Sequence, residues 1–291
     1  MLRMGKILLP VSFSDRCRGA GRYAEALARQ FGSTITLLHV VAHPFAAYGG
    51  PEAGAYSSAA DLLAQRLSMA SDQLETFLSE ELAGLEPERI VREGDPAQEI
   101  VALAREGSYD LILMPTHGYG PFRRFLLGSV TAKVLHDAEC PVWTGPHMES
   151  APPREVIHIR KIVCALDLGP HSRAVLGWAT EAARAFCASL GVVHVVPMSE
   201  VRLGAAYFDP EWRTELAKAA RKQACWLIQE LQTAADVRVE TGEIAASIAS
   251  AARDMQADLV VAGRSHRVGL GRLGTHAYNI IRESPCAVAG V

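Results

Sequence analysis

The chain repeats itself, and that repeat limits what it can fold into more than any other feature. Lys6-Ile7-Leu8-Leu9 returns as Lys161-Ile162-Val163-Cys164, Tyr23-Ala24 as Trp178-Ala179, Phe31 as Phe186, and His39-Val40-Val41 as His194-Val195-Val196, all at one offset and without a gap. Further on, Val91-Arg92-Glu93-Gly94 matches Val239-Glu240-Thr241-Gly242, and Asp110-Leu111-Ile112-Leu113 matches Asp258-Leu259-Val260-Val261. Gly128-Ser129 meets Gly274-Thr275, and Cys140 meets Cys286. A chain of 291 residues built this way is two tandem domains. We place them at 1–146 and 158–291, joined by a proline-bearing linker at 147–157.

Each copy reads as alternating strands and helices. In the first, residues 6–12 form an apolar strand and 17–31 a helix closed by Gly32, which suits a left-handed C-terminal cap. Thr34–Val41 is the second strand, and a long helix is expected from about Ser58 to Leu82. Glu88–Arg92 is the third strand. Asp95-Pro96 opens a helix, with Asp95 as N-cap and Pro96 in the first turn. Leu111–Met114, a helix over 129–138 and Pro141–Trp143 complete the copy. Near-continuous apolar strands alternating with helices predict an α/β fold: two doubly wound five-stranded parallel-sheet domains.

Ligands of such sheets bind beyond the carboxyl ends of the strands. The segment after the fourth strand, Met114 to Thr131, leaves as a glycine-bearing loop and re-enters a helix at Gly128-Ser129. The first N–H groups of that helix (Ser129, Val130, Thr131) lack intrahelical acceptors, and Gly128 admits an anion close to the backbone. The Ser129 and Thr131 hydroxyls add possible donors. It is not a Walker A loop, because no Lys follows the glycine. A second interpretation stays open: Gly-Ser here serves only the turn and the helix cap.

These residues resemble the universal stress protein family in its tandem form, and the likeness covers nearly the whole chain. The family loop is G-x2-G-x9-G-[ST]. The first half has Pro115-x2-Gly118-x9-Gly128-Ser129, with proline for the first glycine. Leu127-Gly128-Ser129-Val130, Cys140-Pro141-Val142, Gly94-Asp95-Pro96 and Leu37-Leu38-His39-Val40 also fit. The resemblance implies a Rossmann-like, adenine nucleotide alpha hydrolase-like fold and a site for ATP, ADP or AMP, with or without Mg²⁺. It places Val11 and Ser12 at the end of the first strand, Val40 beside adenine, and Met114 and Gly118 beside the nucleoside and phosphates. Gly128, Ser129, Val130 and Thr131 would surround the phosphates. Ser12 stands where the family often has Asp.

The second half keeps the acid, Asp167, and the first glycine, Gly263, along with Val195. His266 replaces the second glycine, and the run to Gly274-Thr275 is shorter, so this second site is expected to be degenerate. Arg123 and Arg124 are either phosphate ligands or a solvated surface pair. His39 and His194 recur at one strand position, which favours a shared structural bond at the strand end over catalysis. His117 is taken as a surface turn residue, and Cys140 and Cys286 as packing.

Net charge of −3 argues against a nucleic-acid-coating protein. Six scattered cysteines without metal-ligand spacing fit reduced thiols in the cytoplasm. No membrane span or signal sequence is expected. Single carboxylates, Asp15 and Asp167, make a poor metal site, and no nucleophile–base pair appears. The expectation is therefore a stress-response protein that binds an adenine nucleotide in its first half and is not a dedicated enzyme. The two halves would form an internal pseudo-dimer, and the chain itself could form a homodimer. The alternative is a structural interaction module that binds no nucleotide and acts through dimerisation.

Overall fold

The computed structural model describes residues 2–42, 56–116, 127–145, 148, 153–197, 210–264 and 275–291. Gly118, Gly274, His117, Arg123, Arg124 and His266 lie outside the described residues. Two compact units emerge. One comprises Met4–Val142 and Met148–Ile157, and the other Met1–Arg3, Trp143–His147 and His158–Val291.

In the N-terminal unit the order is β1 (Lys6–Pro10), α1 (Asp15–Phe31), β2 (Thr34–Val41), α2 (Tyr56–Thr76), β3 (Glu88–Glu93), α3 (Pro96–Glu106), β4 (Leu111–Leu113) and α4 (Ser129–Asp137). β5 (Val142–Thr144) follows. The strands lie side by side as β3-β2-β1-β4, and each neighbouring pair is parallel. Just before β5, the Pro141 carbonyl accepts from the Ile112 N–H of β4 at 3.0 Å.

The C-terminal unit repeats this with β6 (Lys161–Leu166), α5 (Ser172–Phe186), β7 (Ser189–Pro197), α6 (Pro210–Glu230), β8 (Asp236–Gly242), α7 (Ile244–Asp254), β9 (Leu259–Ala262), α8 (Thr275–Glu283) and β10 (Ala287–Gly290). Its strands run β8-β7-β6-β9-β10, again parallel. This is the expected doubly wound α/β architecture.

Burial explains the strands. Ile7, Leu8 and Leu9, like Leu111, Ile112 and Leu113, are fully buried, so consecutive side chains face helices on both sides of the sheet. Ends of helices follow their caps. Asp95 accepts from the N–H groups of Ala97 and Gln98, each at 3.1 Å, with Pro96 at the first position. Gly32 closes α1 at φ +66, its N–H donating to the Ala28 carbonyl. In the second copy Cys187 takes the same left-handed role at φ +53.

Among the boundaries that differ from the sequence expectation, two have a visible cause. β1 stops at Pro10 rather than continuing to residue 12, because Phe13 takes φ +58 and turns the chain into α1. Similarly, α2 ends at Thr76 instead of near Leu82. There the Ser79 hydroxyl donates to the Thr76 carbonyl at 2.7 Å, and Leu78 takes φ +60. Leu78 and Leu82 are nonetheless buried, so the apolar pattern reported burial correctly and continued helix wrongly. Among the described residues no helix is long and apolar enough to cross a membrane. Nor does any group of three His, Cys, Asp or Glu among them stand positioned to hold a metal ion.

Candidate functional site

The carboxyl ends of β1, β2 and β4 open onto a cleft in the N-terminal unit. Its cavity volume is about 190 Å³. Pro10, Val11 and Ser12 line it at the end of β1, Leu38, His39 and Val40 from β2, and Met114 and Pro115 just after β4. α4 contributes Val130 and Thr131, α1 contributes Cys17, and α3 leans across with Pro96 and Ile100. Most of this wall is apolar, which suits a flat uncharged ring.

The turn from β1 to α1 is held locally. The Ser12 N–H donates to Cys17 Sγ at 3.4 Å, and the Ser12 hydroxyl lies 3.2 Å from that of Ser14. Across the strand ends, His39 Nδ1 lies 2.9 Å from the Val11 carbonyl, and Phe13 stacks on the imidazole with ring centroids 4.2 Å apart. Burial lowers the pKa of His39 below its ordinary value. The Val11 carbonyl opposes that shift and the Arg66 charge adds to it.

At the other end, α4 begins at Ser129 with Gly128 as its N-cap in extended conformation. The Gly128 N–H donates to the Thr116 carbonyl at 2.8 Å, and the first in-helix bond runs from the Ala132 N–H to the Gly128 carbonyl at 2.9 Å. Ser129, Val130 and Thr131 therefore keep N–H groups without acceptors inside the helix. The Thr131 hydroxyl is buried and donates to the Pro115 carbonyl at 3.2 Å. Its single proton is committed there, so the expectation of a free side-chain donor at Thr131 does not hold. Near the mouth Lys133 pairs with Asp95 at 3.4 Å. Asp95 titrates below its ordinary value, chiefly because the Gln98 N–H favours the carboxylate, with smaller help from Lys133.

Of the residues singled out in the first half, Val11, Ser12, Val40, Met114, Val130 and Thr131 come together in this cleft. Gly128 and Ser129 stand at the helix start beside it, and Gly118 lies outside the described residues. Sequence reasoning missed Pro96, Ile100 and Cys17. The Asp95-Pro96 helix opening carried a signal for the first two, since a crossover helix beginning there starts at the carboxyl edge of the sheet.

The second copy is organised differently. Asp167 Oδ1 accepts from the Gly169 N–H and the Ser172 hydroxyl, both at 2.8 Å, so the acid braces its own turn. A Cβ at Gly169 would meet both carboxylate oxygens at 3.2 Å. Asp167 with Gly169 and Ser12 with Ser14 are thus paired choices. Val195 is buried in β7. A Cβ at Gly263 would meet Val175 of α5 at 3.0 Å, which accounts for that glycine by packing. Thr275 begins α8, and Gly274 lies outside the described residues. His194 Nδ1 lies 2.9 Å from the Leu166 carbonyl, repeating the bond of His39. The shared structural bond expected of this His pair is therefore present.

Comparison with known proteins agrees with the repeat. Residues 4–144 and 158–291 each match the model of the universal stress protein family. A universal stress protein of Methanocaldococcus jannaschii is 33% identical over 138 residues, spanning 47% of this chain and 79% of that protein. A universal stress protein A homolog of Coxiella burnetii is 30% identical over 141 residues, spanning 46% of this chain and 97% of that protein. The crystal structure of a universal stress protein from Archaeoglobus fulgidus shares the fold, with a TM-score of 0.65 over 99% of this chain and 96% of that one at 21% identity. With two successive copies of the matching domain, this chain belongs to the universal stress protein family.

Proposed function

We propose that the N-terminal cleft binds an adenine nucleotide, and that the C-terminal copy is a structural partner whose own site is degenerate. What carries the first part is the joining of an apolar cleft to the start of α4, whose Val130 and Thr131 line it. The base would lie among Val11, Val40 and Met114, and the phosphates would meet the N–H groups of Ser129, Val130 and Thr131. ATP, ADP and AMP share this chemistry. Among the described residues the wall carries no carboxylate, so Mg²⁺ would enter with the phosphates rather than on a protein ligand. The nucleotide is read as a bound regulator of assembly or partner contact, in a protein of the cytoplasm, and not as the substrate of a dedicated hydrolase.

Titration calorimetry with ATP, ADP and AMP, with and without Mg²⁺, tests this directly. Saturable binding is expected, and Val40→Trp, which fills the cleft from a half-exposed position, should abolish it while the far-ultraviolet spectrum stays native. Absence of both heat and a thermal shift at millimolar nucleotide would refute the proposal. A second assignment, an interaction module that binds no nucleotide and acts through homodimerisation, draws on two observations. The Thr131 hydroxyl is held by Pro115, and the Asp167 carboxylate is held by its own turn. Sedimentation of the nucleotide-free chain across concentrations separates the two, because only this second assignment needs a dimer without ligand.

A further inference from the structure

His39 lines the cleft with a chemistry that phosphate binding does not use. A neutral imidazole carries a proton on one ring nitrogen and a lone pair on the other. The Val11 carbonyl, 2.9 Å from Nδ1, can only accept, so the proton resides on Nδ1. Nε2 is left as an acceptor with no hydrogen-bond partner among the described residues. Phe13 covers one ring face at 4.2 Å and is met edge-on by Phe77 at 5.2 Å, so the ring is held in this orientation. Phe13 itself sits at φ +58, a conformation that bulky side chains rarely adopt. Strain of that kind persists where surrounding structure requires it. In the second copy the same bond is made by His194, with Leu168 in place of Phe13.

We propose that His39 Nε2 accepts a hydrogen bond from an N–H or O–H donor of the ligand, making His39 a specificity residue of the cleft. The donor is an exocyclic amine of the base or a ribose hydroxyl, and the assignment rests on the nucleotide site proposed above. Protonation would set a second donor against the ligand's donor, so binding weakens as the imidazole titrates. Arg66 from α2 is the charge that acts on the ring. The facing residues of β1 and β3 are Val11 and Val91, neither titratable, and Cys17 of α1 lines the same cleft.

Nitrogen-detected NMR of the ligand-free protein at about pH 7.5 should show Nδ1–H and an unprotonated Nε2 for His39. Calorimetry then compares ATP with purine riboside triphosphate, which lacks the amine, and with 2′-deoxy-ATP and 3′-deoxy-ATP. The analogue that lacks the recognised donor should bind the wild type about threefold to tenfold more weakly than ATP, and His39→Asn no more weakly. His39→Asn keeps an N–H for Val11 and removes Nε2, so its ATP affinity should fall about threefold to tenfold. His39→Gln places an amide oxygen near the Nε2 position, and should recover most of the affinity while losing the weakening at acidic pH. ATP binding by His39→Asn at wild-type strength and with the wild-type pH profile would overturn the assignment, as would an Nε2-protonated ring. A wild type that binds none of the nucleotides would overturn the nucleotide site and this inference together, whereas the tautomer bears on His39 alone.

Discussion

Replacing Thr131 with Val distinguishes a structural hydroxyl from a phosphate ligand, and the two roles predict opposite outcomes. Valine keeps the shape of threonine and removes the O–H that reaches the Pro115 carbonyl at 3.2 Å. Thr131 is only 3% exposed, so water cannot replace that donor easily. A buried carbonyl left without its partner costs about 1–3 kcal/mol. At about 2–4 °C per kcal/mol for a domain of this size, the melting temperature should fall by roughly 2–12 °C. Far-ultraviolet dichroism, which reads both units, should show the shift. Thr131→Ser retains the hydroxyl and should lie near the wild type. Nucleotide affinity of Thr131→Val should change by less than about threefold, because the backbone N–H groups at the start of α4 are untouched. If ligand-free stability were unchanged and affinity fell tenfold or more, the hydroxyl would face the ligand and this reasoning would be refuted.

Asp95→Ala removes the acceptor for the Ala97 and Gln98 N–H groups and should cost about 1 kcal/mol, read by urea denaturation. Because the folded-state pKa of Asp95 lies below its ordinary 3.8, its stabilisation is complete above that value and is lost as pH falls through the lower folded value; the alanine variant should lack this acid-side decline. For His39 the folded pKa also lies below the ordinary 6.5, but here the neutral form is the favoured one. Its contribution is complete above 6.5 and declines as pH falls from there toward the folded value, so His39→Asn should flatten the stability profile in that window relative to wild type. In the second copy Gly169→Ser sets a Cβ 3.2 Å from both Asp167 oxygens and should destabilise, while Asp167→Ser/Gly169→Ser recovers part of the loss. A double-mutant cycle should give a coupling of about 0.5–1 kcal/mol, and additive single effects would refute the pairing.

Sequence pattern reached as far as backbone periodicity and cap chemistry can reach. The Lys6-Ile7-Leu8-Leu9 and Lys161-Ile162-Val163-Cys164 runs became equivalent strands because consecutive apolar residues need cover on both faces. Asp95-Pro96 and Gly32 set helix ends as expected, since one residue's φ and one side-chain oxygen decide each end. Side-chain commitments were out of reach. Nothing in Gly128-Ser129-Val130-Thr131 reveals that the Thr131 hydroxyl turns back to Pro115, because the acceptor is a carbonyl 16 residues earlier in the chain. Ile100 was missed for a related reason: helical spacing shows that it is buried, yet the tilt of α3 over the strand ends decides that it borders the cleft. The end of α2 at Thr76 depended on the Ser79 hydroxyl bonding that residue's carbonyl, while Leu78 and Leu82 continued the apolar rhythm.

The copies diverge where strands end, and there they diverge as sets. A carboxylate at position 167 accepts two short bonds, and a Cβ two residues later would crowd it at 3.2 Å, a contact that glycine avoids. A hydroxyl at position 12 fills less space, Ser14 fits beside it, and Cys17 receives the Ser12 N–H in place of a stronger acceptor. Both solutions hold the next residue at the same φ of +58 and deliver the same His–carbonyl bond across to the neighbouring strand. The turn's backbone is therefore the shared requirement, and its polarity is the variable. Ser14 stands where the second copy has Gly169, so the two turns differ at both positions. The difference leaves the first copy with a neutral residue, Ser12, at the cleft beneath whatever ligand it holds.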